Sequence, residues 1–297
     1  MNVIKPTALT TAMLISSTVP EDDYAAYAAG TTYALADRVI QASTHRIYES
    51  LQAANTGHTP ETSPTWWVDI GPTNRWAMFD TSVSTQTVEA TSPLTIVIEP
   101  GMINSLALME MDAISLDVAM VDGVGATVYS RAISLDDTPI IDWYTYFFEP
   151  YDLRRDLVLT DIPVYGDGRI TVSLASSGTP KCGMLVVGDN IDIGDTQYGA
   201  QFGIIDYSRK ETDAFGVTSF VERHYSKRMS APVQVDNTRL GYVQRKLAEL
   251  RATPCLWIGS GEYIYSPLIV FGFYRNFDIE IAYPTLSQCS LEIEGMI

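Results

Sequence analysis

Short hydrophobic runs separated by turn residues make up most of this chain. Typical runs lie at 94–98, 115–120 and 169–174, and Gly, Pro, Asp or Ser residues separate them from the next run. Val, Ile, Thr and aromatic residues are abundant in these runs, and such residues favour strands. Strands at this regular spacing are typical of an antiparallel sandwich. The pattern therefore predicts a mainly β protein, with a β-sandwich domain over residues 76–193.

The last third of the chain adds one helix. Asp236 or Asn237 can cap a helix over residues 238–251, and Pro254 follows its end. Its apolar residues recur at helical spacing, which places them on one face. These residues are Leu240, Val243, Leu247 and Leu250. With further strand-like runs after the helix, residues 194–297 are predicted to form a β-sandwich or sheet packed by one α-helix.

Residues 24–75 have a different pattern, in which aromatic residues alternate with turns. The turn positions include Asp37, Gly57 and Pro60. The spaced aromatic residues are Tyr27, Tyr33, Tyr48, Trp66 and Trp67. This predicts a small β module with a stacked aromatic core, preceded by a lead-in over residues 1–23.

In this spacing the segment resembles chitin-binding type 3 modules, which are carbohydrate-binding modules of families 5 and 12. The resemblance implies that Tyr33, Tyr48, Trp66 and Trp67 contact a glycan, because such modules lay sugar faces on exposed rings. The alternative is that the same rings form the core of the module. Two departures bear on this choice. Ala36 replaces a usual Gly before the Asp, and residues 52–55 lack the aromatic pair that commonly follows the strand containing Tyr48.

Other segments are similar to proteins of bacteriophage tails. The stretch at 65–80, the charged run at 206–213 and the ending at 292–295 look like those of phage and prophage tail proteins. The beginning of the 76–193 segment also resembles galactose-binding-like jelly rolls. Residues 194–297 resemble the sandwich-plus-helix domains of tail-tube and distal tail proteins, which implies a ring of identical copies. We predict that an exposed arm reaches a neighbouring subunit, and that it comprises Asp206, Tyr207, Arg209, Lys210, Glu211 and Asp213.

Charge is distributed unevenly along the sequence. The chain has a net charge of −17; residues 1–199 hold 25 acids and 9 bases, and residues 200–297 hold 11 acids and 10 bases. An acidic surface repels phosphate groups, which disfavours nucleic acid as a partner. No stretch reaches the roughly 18 apolar residues needed to cross a bilayer, so we expect no membrane insertion. The near-neutral last third is easier to bury against another protein.

No pattern in the sequence predicts catalysis or a bound metal. His45, His58 and His224 lie in separate contexts, and the three cysteines lack the spacing of a metal knuckle. Phosphate-binding loops, dinucleotide fingerprints and nucleophile elbows are missing from the sequence. We therefore expect no cofactor, no metal and no enzymatic activity.

The densest aromatic run is Trp143-Tyr144-Thr145-Tyr146-Phe147-Phe148. Alternation along a strand would place apolar rings on both faces. The run is therefore predicted to be a strand that is either buried in the core or covered by a partner.

These features together predict a structural component of a phage tail or baseplate, made in the bacterial cytoplasm and located in the virion. Its partners would be copies of itself and neighbouring tail proteins. The alternative is an adhesin that recognises a host cell-surface polysaccharide through the aromatic module.

Overall fold

The protein is mainly β, as predicted, and the described part of the chain contains two short α-helices. The structure is a computed structural model and describes residues 1–138, 140–212, 215–261 and 263–296. Three-residue 3₁₀ turns lie at Pro60–Thr62, Ala77–Phe79 and Asn237–Arg239, and a longer 3₁₀ segment lies at Tyr263–Leu268.

The elements follow one another in this order. The first part contains β1 (Asn2–Pro6), β2 (Leu14–Ser17), β3 (Thr32–Tyr33), β4 (Arg38–Gln41), β5 (Arg46–Ser50), β6 (Asn55–Thr56) and β7 (Trp67–Pro72). The middle contains β8 (Thr87–Val88), β9 (Leu94–Ile98), β10 (Ser105–Asp112), β11 (Ser115–Val121), β12 (Thr127–Ser134), α1 (Trp143–Phe148), β13 (Leu157–Leu159), β14 (Arg169–Ala175) and β15 (Lys181–Asp192). The last part contains β16 (Asp195–Thr196), β17 (Gln201–Asp206), β18 (Arg209–Thr212), β19 (Thr218–Val221), β20 (Tyr225–Asp236), α2 (Leu240–Glu249), β21 (Cys255–Ile258), β22 (Ile269–Glu280) and β23 (Leu286–Gly295).

Two antiparallel sheets form the body of the protein. The long sheet has the order β13-β10-β15-β1-β21-β22-β23-β20-β16, with β17 also paired to β20 and β8 to β15. The short sheet has the order β12-β11-β14-β9-β2. Side chains from both sheets, among them Ile96 and Val172 of the short sheet and Leu106 and Leu185 of the long sheet, share one core. This packing confirms the predicted sandwich.

Strict alternation in the short sheet explains why its strands could be predicted. In β9 and β14 every second residue is buried, from Leu94 to Ile98 and from Ile170 to Leu174. Alternate side chains of a strand point to opposite faces, so the buried set faces the other sheet. The residues between them, such as Thr95 and Ser173, are polar and hydrogen-bond each other through their hydroxyls at 2.9 Å.

The first strand occupies the centre of the long sheet. β1 pairs with β15 over five residues on one side and with β21 over three on the other. Val3 and Ile4 are fully buried and face different cores. Residues 1–23, described above as a lead-in, thus contribute β1 to the long sheet and β2 to the short one. The predicted boundary between residues 193 and 194 falls within this continuous sheet.

The predicted helix packs on the C-terminal half of the long sheet. Asp236 accepts a hydrogen bond from the Thr238 amide at 2.8 Å, which opens the 3₁₀ turn that leads into α2. Val243 and Leu247 are fully buried in a core that includes Trp257 of β21. The helix and its buried face are confirmed.

Replacing Gly188 with Ala should loosen the first strand. A Cβ atom at this position would lie 2.0 Å from the Lys5 carbonyl oxygen of β1, so the two strands must move apart. We expect the free energy of unfolding to fall by about 1–3 kcal/mol in urea denaturation.

The matched control is Gly178→Ala, because a Cβ atom there meets nothing within 4 Å. Its free energy of unfolding should stay within about 0.5 kcal/mol of wild type. Equal stability of the two variants would show that β1 is not held between its neighbours.

Candidate functional site

Three of the four residues predicted to contact a glycan form the core of the aromatic module. Tyr33, Tyr48 and Trp67 are 8%, 8% and 2% exposed and pack together with Val39. The rings of Tyr33 and Trp67 meet edge to face, with centroids 5.2 Å apart. A sugar needs an open ring face, so these three rings cannot serve as a stacking platform in this structure. The predicted platform is therefore reduced to Trp66.

Trp66 keeps part of its ring accessible. It packs on the module core and stacks on His58, with ring centroids 4.0 Å apart and planes 12° from parallel. The neighbouring Trp67 indole donates a hydrogen bond to the His58 carbonyl oxygen at 2.8 Å, which holds this loop in place. A glycan contact in the module depends on the exposed part of Trp66.

Ala36, which stands where chitin-binding type 3 modules usually have Gly, adopts a backbone conformation that favours glycine. Ala36 has a φ of 69°, in the left-handed region that L-residues with a side chain rarely adopt. Its amide donates to the Ser50 carbonyl oxygen at 2.8 Å, and Asp37 accepts from the Ala34 amide at 2.6 Å. These bonds maintain the turn although the residue is not Gly.

His45, for which the sequence predicted no role, joins the module to the sandwich. Its Nε2 lies 2.8 Å from the Thr11 hydroxyl and its Nδ1 lies 2.9 Å from a Glu21 carboxylate oxygen. The imidazole stacks on Trp76 with ring centroids 4.1 Å apart. A hydroxyl, an imidazole and a carboxylate in this order have the connectivity of an acyl-transfer triad.

The surroundings of His45 favour an anchor over a catalytic base. The same Glu21 carboxylate also accepts from the Thr73 hydroxyl at 2.9 Å and lies 3.9 Å from an Arg75 nitrogen. A catalytic triad must border a cleft that admits substrate. The side chains of His45 and Glu21 are only 14% and 16% exposed. We interpret the cluster as the joint that fixes the module on the body.

The predicted arm is one side of a long β-hairpin. β17 and β20 pair up to Asp206 and Tyr225, and after a break the chain pairs again as β18 and β19. Every residue of β18 and β19 is exposed, and among the described strands these two pair only with each other. We call residues 207–224 the arm.

The structure places the predicted assembly residues along this hairpin. Asp206 lies at the root, and Tyr207, Arg209, Lys210 and Glu211 lie on the arm. Asp213 lies outside the described residues. The opposite strand, which the prediction did not include, carries Phe220 with 74% of its surface exposed.

The two faces of the arm differ in charge. Residues paired across antiparallel strands share a face, so Lys210 lies beside Phe220. On the other face Arg209 pairs with Glu211 at 3.1 Å. Lys210 has no ion-pair partner among the described residues, so its face presents an unpaired positive charge next to an exposed aromatic ring.

A second exposed element leaves the body between β12 and β13. Its neck is closed by hydrogen bonds from the Asp137 amide to the Asp152 carbonyl oxygen at 2.9 Å and from the Arg154 amide to the Leu135 carbonyl oxygen at 2.7 Å. We call residues 136–152 the excursion; Pro139 within it lies outside the described residues. Its centre is α1, which contains the dense aromatic run.

The predicted strand at this run is wrong. Asp142 accepts from the Thr145 amide at 2.8 Å, and the Thr145 hydroxyl accepts from the Asp142 amide at 3.0 Å. This reciprocal capping box starts a helix. Five of the six residues are aromatic, so the run has no period that would distinguish a helix from a strand.

The run is also not buried, since none of the α1 residues reaches the core. Rings three or four positions apart contact each other, as Trp143 does with Phe147 and Tyr144 with Phe148. Large apolar side chains of the excursion each expose more than half of their surface. They are Ile140, Ile141, Trp143, Tyr144, Tyr146, Phe147, Phe148 and Tyr151.

An ion-pair cluster connects the segment that follows the excursion to the strand at the root of the arm. Lys227 of β20 donates to Asp156 at 2.7 Å and lies 3.7 Å from Glu110. Asp156 also accepts from the Glu110 amide at 3.1 Å, at a position where Glu110 has a φ of 49°. Burial lowers the pKa of Lys227, but the Asp156 and Glu110 carboxylates outweigh it and the pKa is raised above 10.5.

The described residues contain no group of three or more His, Cys, Asp or Glu side chains placed to hold a metal ion. Cys182 is fully buried, and burial raises the pKa of its thiol to about 12. No helix in the described part of the chain has the length and apolar character required to span a bilayer. Neither a protein-family model nor a curated protein matches the chain.

Replacing Lys227 with Met should destabilise the protein, because Asp156 then loses its charged donor in a mostly buried site. We expect a loss of about 1–3 kcal/mol in the free energy of unfolding near pH 7. The Lys227 contribution is complete below pH 10.5 and is lost as pH rises through the higher folded-state pKa. The difference between variant and wild type should therefore shrink in strongly alkaline buffer.

Lys210→Met is the matched control, since Lys210 is exposed and makes no ion pair with a described residue. Its stability should change by no more than about 0.5 kcal/mol at any pH. A Lys227→Met variant as stable as this control would contradict the role assigned to the cluster.

Proposed function

We propose that this chain is a structural component of a bacteriophage tail or baseplate. It assembles with copies of itself and with neighbouring tail proteins through residues 194–297, and the aromatic module and the sandwich face outward. This function places the protein in the virion after synthesis in the bacterial cytoplasm. The protein then acts structurally, through surfaces that become buried between subunits, and has no enzymatic activity.

The proposal depends on the exposed apolar residues of the arm. All residues of β18 and β19 are exposed. An isolated two-stranded hairpin is marginally stable in water, so the exposed apolar residues of these strands favour a covered position in an assembly. Phe215 and Phe220 are 92% and 74% exposed. The arm also lies in the near-neutral part of an acidic chain, where contact between identical copies meets the least repulsion.

Shortening the arm should prevent assembly. Residues 207–224 can be replaced by Asn-Gly, a two-residue hairpin turn that joins Asp206 to Tyr225 at the last pair of the β17–β20 ladder. We expect the wild-type protein to form rings or other oligomers in electron microscopy and light scattering. The shortened protein should remain a monomer of unchanged fold.

A matched control changes another exposed turn. Val124 is 90% exposed in the turn between β11 and β12, so Val124→Ser removes apolar surface far from the arm in sequence. This control should assemble like wild type. Normal oligomers from the shortened protein would refute the role of the arm.

The second candidate is a glycan-binding adhesin, and Trp66 is the observation that favours it. If the module binds chitin or a cell-wall polysaccharide, Trp66→Ala should weaken that binding by more than about tenfold, because an aromatic ring that stacks on a ligand is commonly a binding hot spot. Trp67→Ala should instead lower the free energy of unfolding by about 3–5 kcal/mol, since its ring is in the core.

Polysaccharide pull-down and urea denaturation of the two variants separate these effects. Unchanged binding by a folded Trp66→Ala protein would exclude this glycan site. The tail proposal would be unaffected, because it depends on the arm.

A further inference from the structure

We infer that the excursion is the docking surface for the arm of a second copy of this chain. The inference rests on the proposed function, because it names the surface that the arm contacts. It refines that function in one respect: the excursion of the sandwich faces the neighbouring copy, and the rest of the sandwich and the aromatic module face outward. Three observations support it: the amount of apolar surface on the excursion, its charge, and its position next to the root of the arm.

The excursion exposes more apolar surface than an isolated monomer normally does. Its six aromatic side chains are each 59–84% exposed. At roughly 200 Å² per aromatic side chain, they present on the order of 800 Å² to solvent. Exposed apolar patches on monomers usually cover a few hundred Å². The larger area is similar to what one partner contributes to an interface of standard size.

The charge of the excursion selects among possible partners. Residues 136–152 contain five acids, which are Asp136, Asp137, Asp142, Glu149 and Asp152, and no Lys or Arg. A surface that docks here must therefore combine apolar residues with positive or no charge. Most of this chain is acidic and does not meet that condition.

The arm meets both conditions. Residues 207–224 contain three bases and three acids, and Lys210 and Arg223 have no ion-pair partner among the described residues. Lys210 lies on the same face as Phe220. This face can place a cation beside the Glu149 carboxylate and a ring on the aromatic residues of α1. Cations are also attracted to aromatic faces, which adds to the fit.

The two elements leave the body close to each other. Asp156, four residues after the excursion, is bonded to Lys227 at the root of the arm. A cleft of about 340 Å³ between them is lined by Asp137, Asp152 and Lys227. Two copies that meet at this end can each offer an arm and an excursion to the other, as self-complementary interfaces require. The anionic excursion, in contrast, is repelled by acidic lipid surfaces.

The test uses two full-length variants that change exposed residues only. The arm variant carries Lys210→Glu and Phe220→Ala, and the excursion variant carries Trp143→Ala and Phe147→Ala. Tyr198→Ala, at a residue that is 96% exposed elsewhere, is the control. Self-association is measured by sedimentation velocity over a range of concentrations, and mixtures are analysed by native mass spectrometry with one variant carrying a mass tag.

We expect each variant alone to weaken self-association by more than about tenfold, with the control unchanged. A one-to-one mixture of the two variants should form heterodimers, because the excursion of one and the arm of the other are both intact. Contacts between two arms or between two excursions would not be restored by mixing.

The other outcomes overturn the inference. If the excursion variant assembles like wild type while the arm variant does not, the arm binds elsewhere and only the proposed function survives. Failure of the mixture to associate excludes the arm–excursion contact. A wild-type protein that stays monomeric at all concentrations refutes both proposals. Excursion-dependent binding of that monomer to phosphatidylcholine vesicles would assign the rings to a lipid surface.

Discussion

The insertion of β1 between β15 and β21 is the constraint on which the rest of the structure depends. Without this strand, the long sheet would have two unpaired edges facing each other at its centre, each with backbone donors and acceptors in need of partners. β1 satisfies both edges, and its two central side chains reach cores on opposite faces of the sheet. The segments before and after residue 193 therefore share one hydrogen-bonded framework. That framework positions the arm and the excursion relative to each other.

Apolar side chains are almost completely buried in the body of the protein, but at one end a group of them is exposed. The sandwich core and the core under α2 contain side chains with almost no exposed surface. The aromatic residues of α1 have the same apolar character, yet all of them are in contact with solvent. In most of this chain, apolar residues are buried as the fold requires. Exceptions to that rule occur mainly at functional surfaces. The ion pair of Lys227 and Asp156 lies between the roots of the two exposed elements at this same end.

Secondary-structure elements could be predicted where the apolar residues recur with a clear period. β9, β14 and α2 have clear periods of two or 3.6 residues, and each forms the predicted element. The run at 143–148 is aromatic at five of six positions, so no period could be distinguished. Its helix is determined by one local capping interaction, between Asp142 and Thr145, which a pattern of apolar residues does not reveal. The aromatic module was predicted as a fold, but whether a ring is core or surface depends on three-dimensional packing. His45 was missed because its partners are 24 to 34 residues away in sequence.

The sequence by itself determined the class of the fold, the helix α2 and the contrast between an acidic front and a near-neutral end. These follow from local periodicity and from composition, which need no knowledge of distant contacts. The tertiary structure alone decided that the first strand completes the central sheet, that Tyr33, Tyr48 and Trp67 are enclosed, and that the rings of α1 are open to solvent. The physical reason is that burial is a property of assembled surfaces. A side chain is covered or exposed according to which distant strands meet over it, and local spacing does not contain that information.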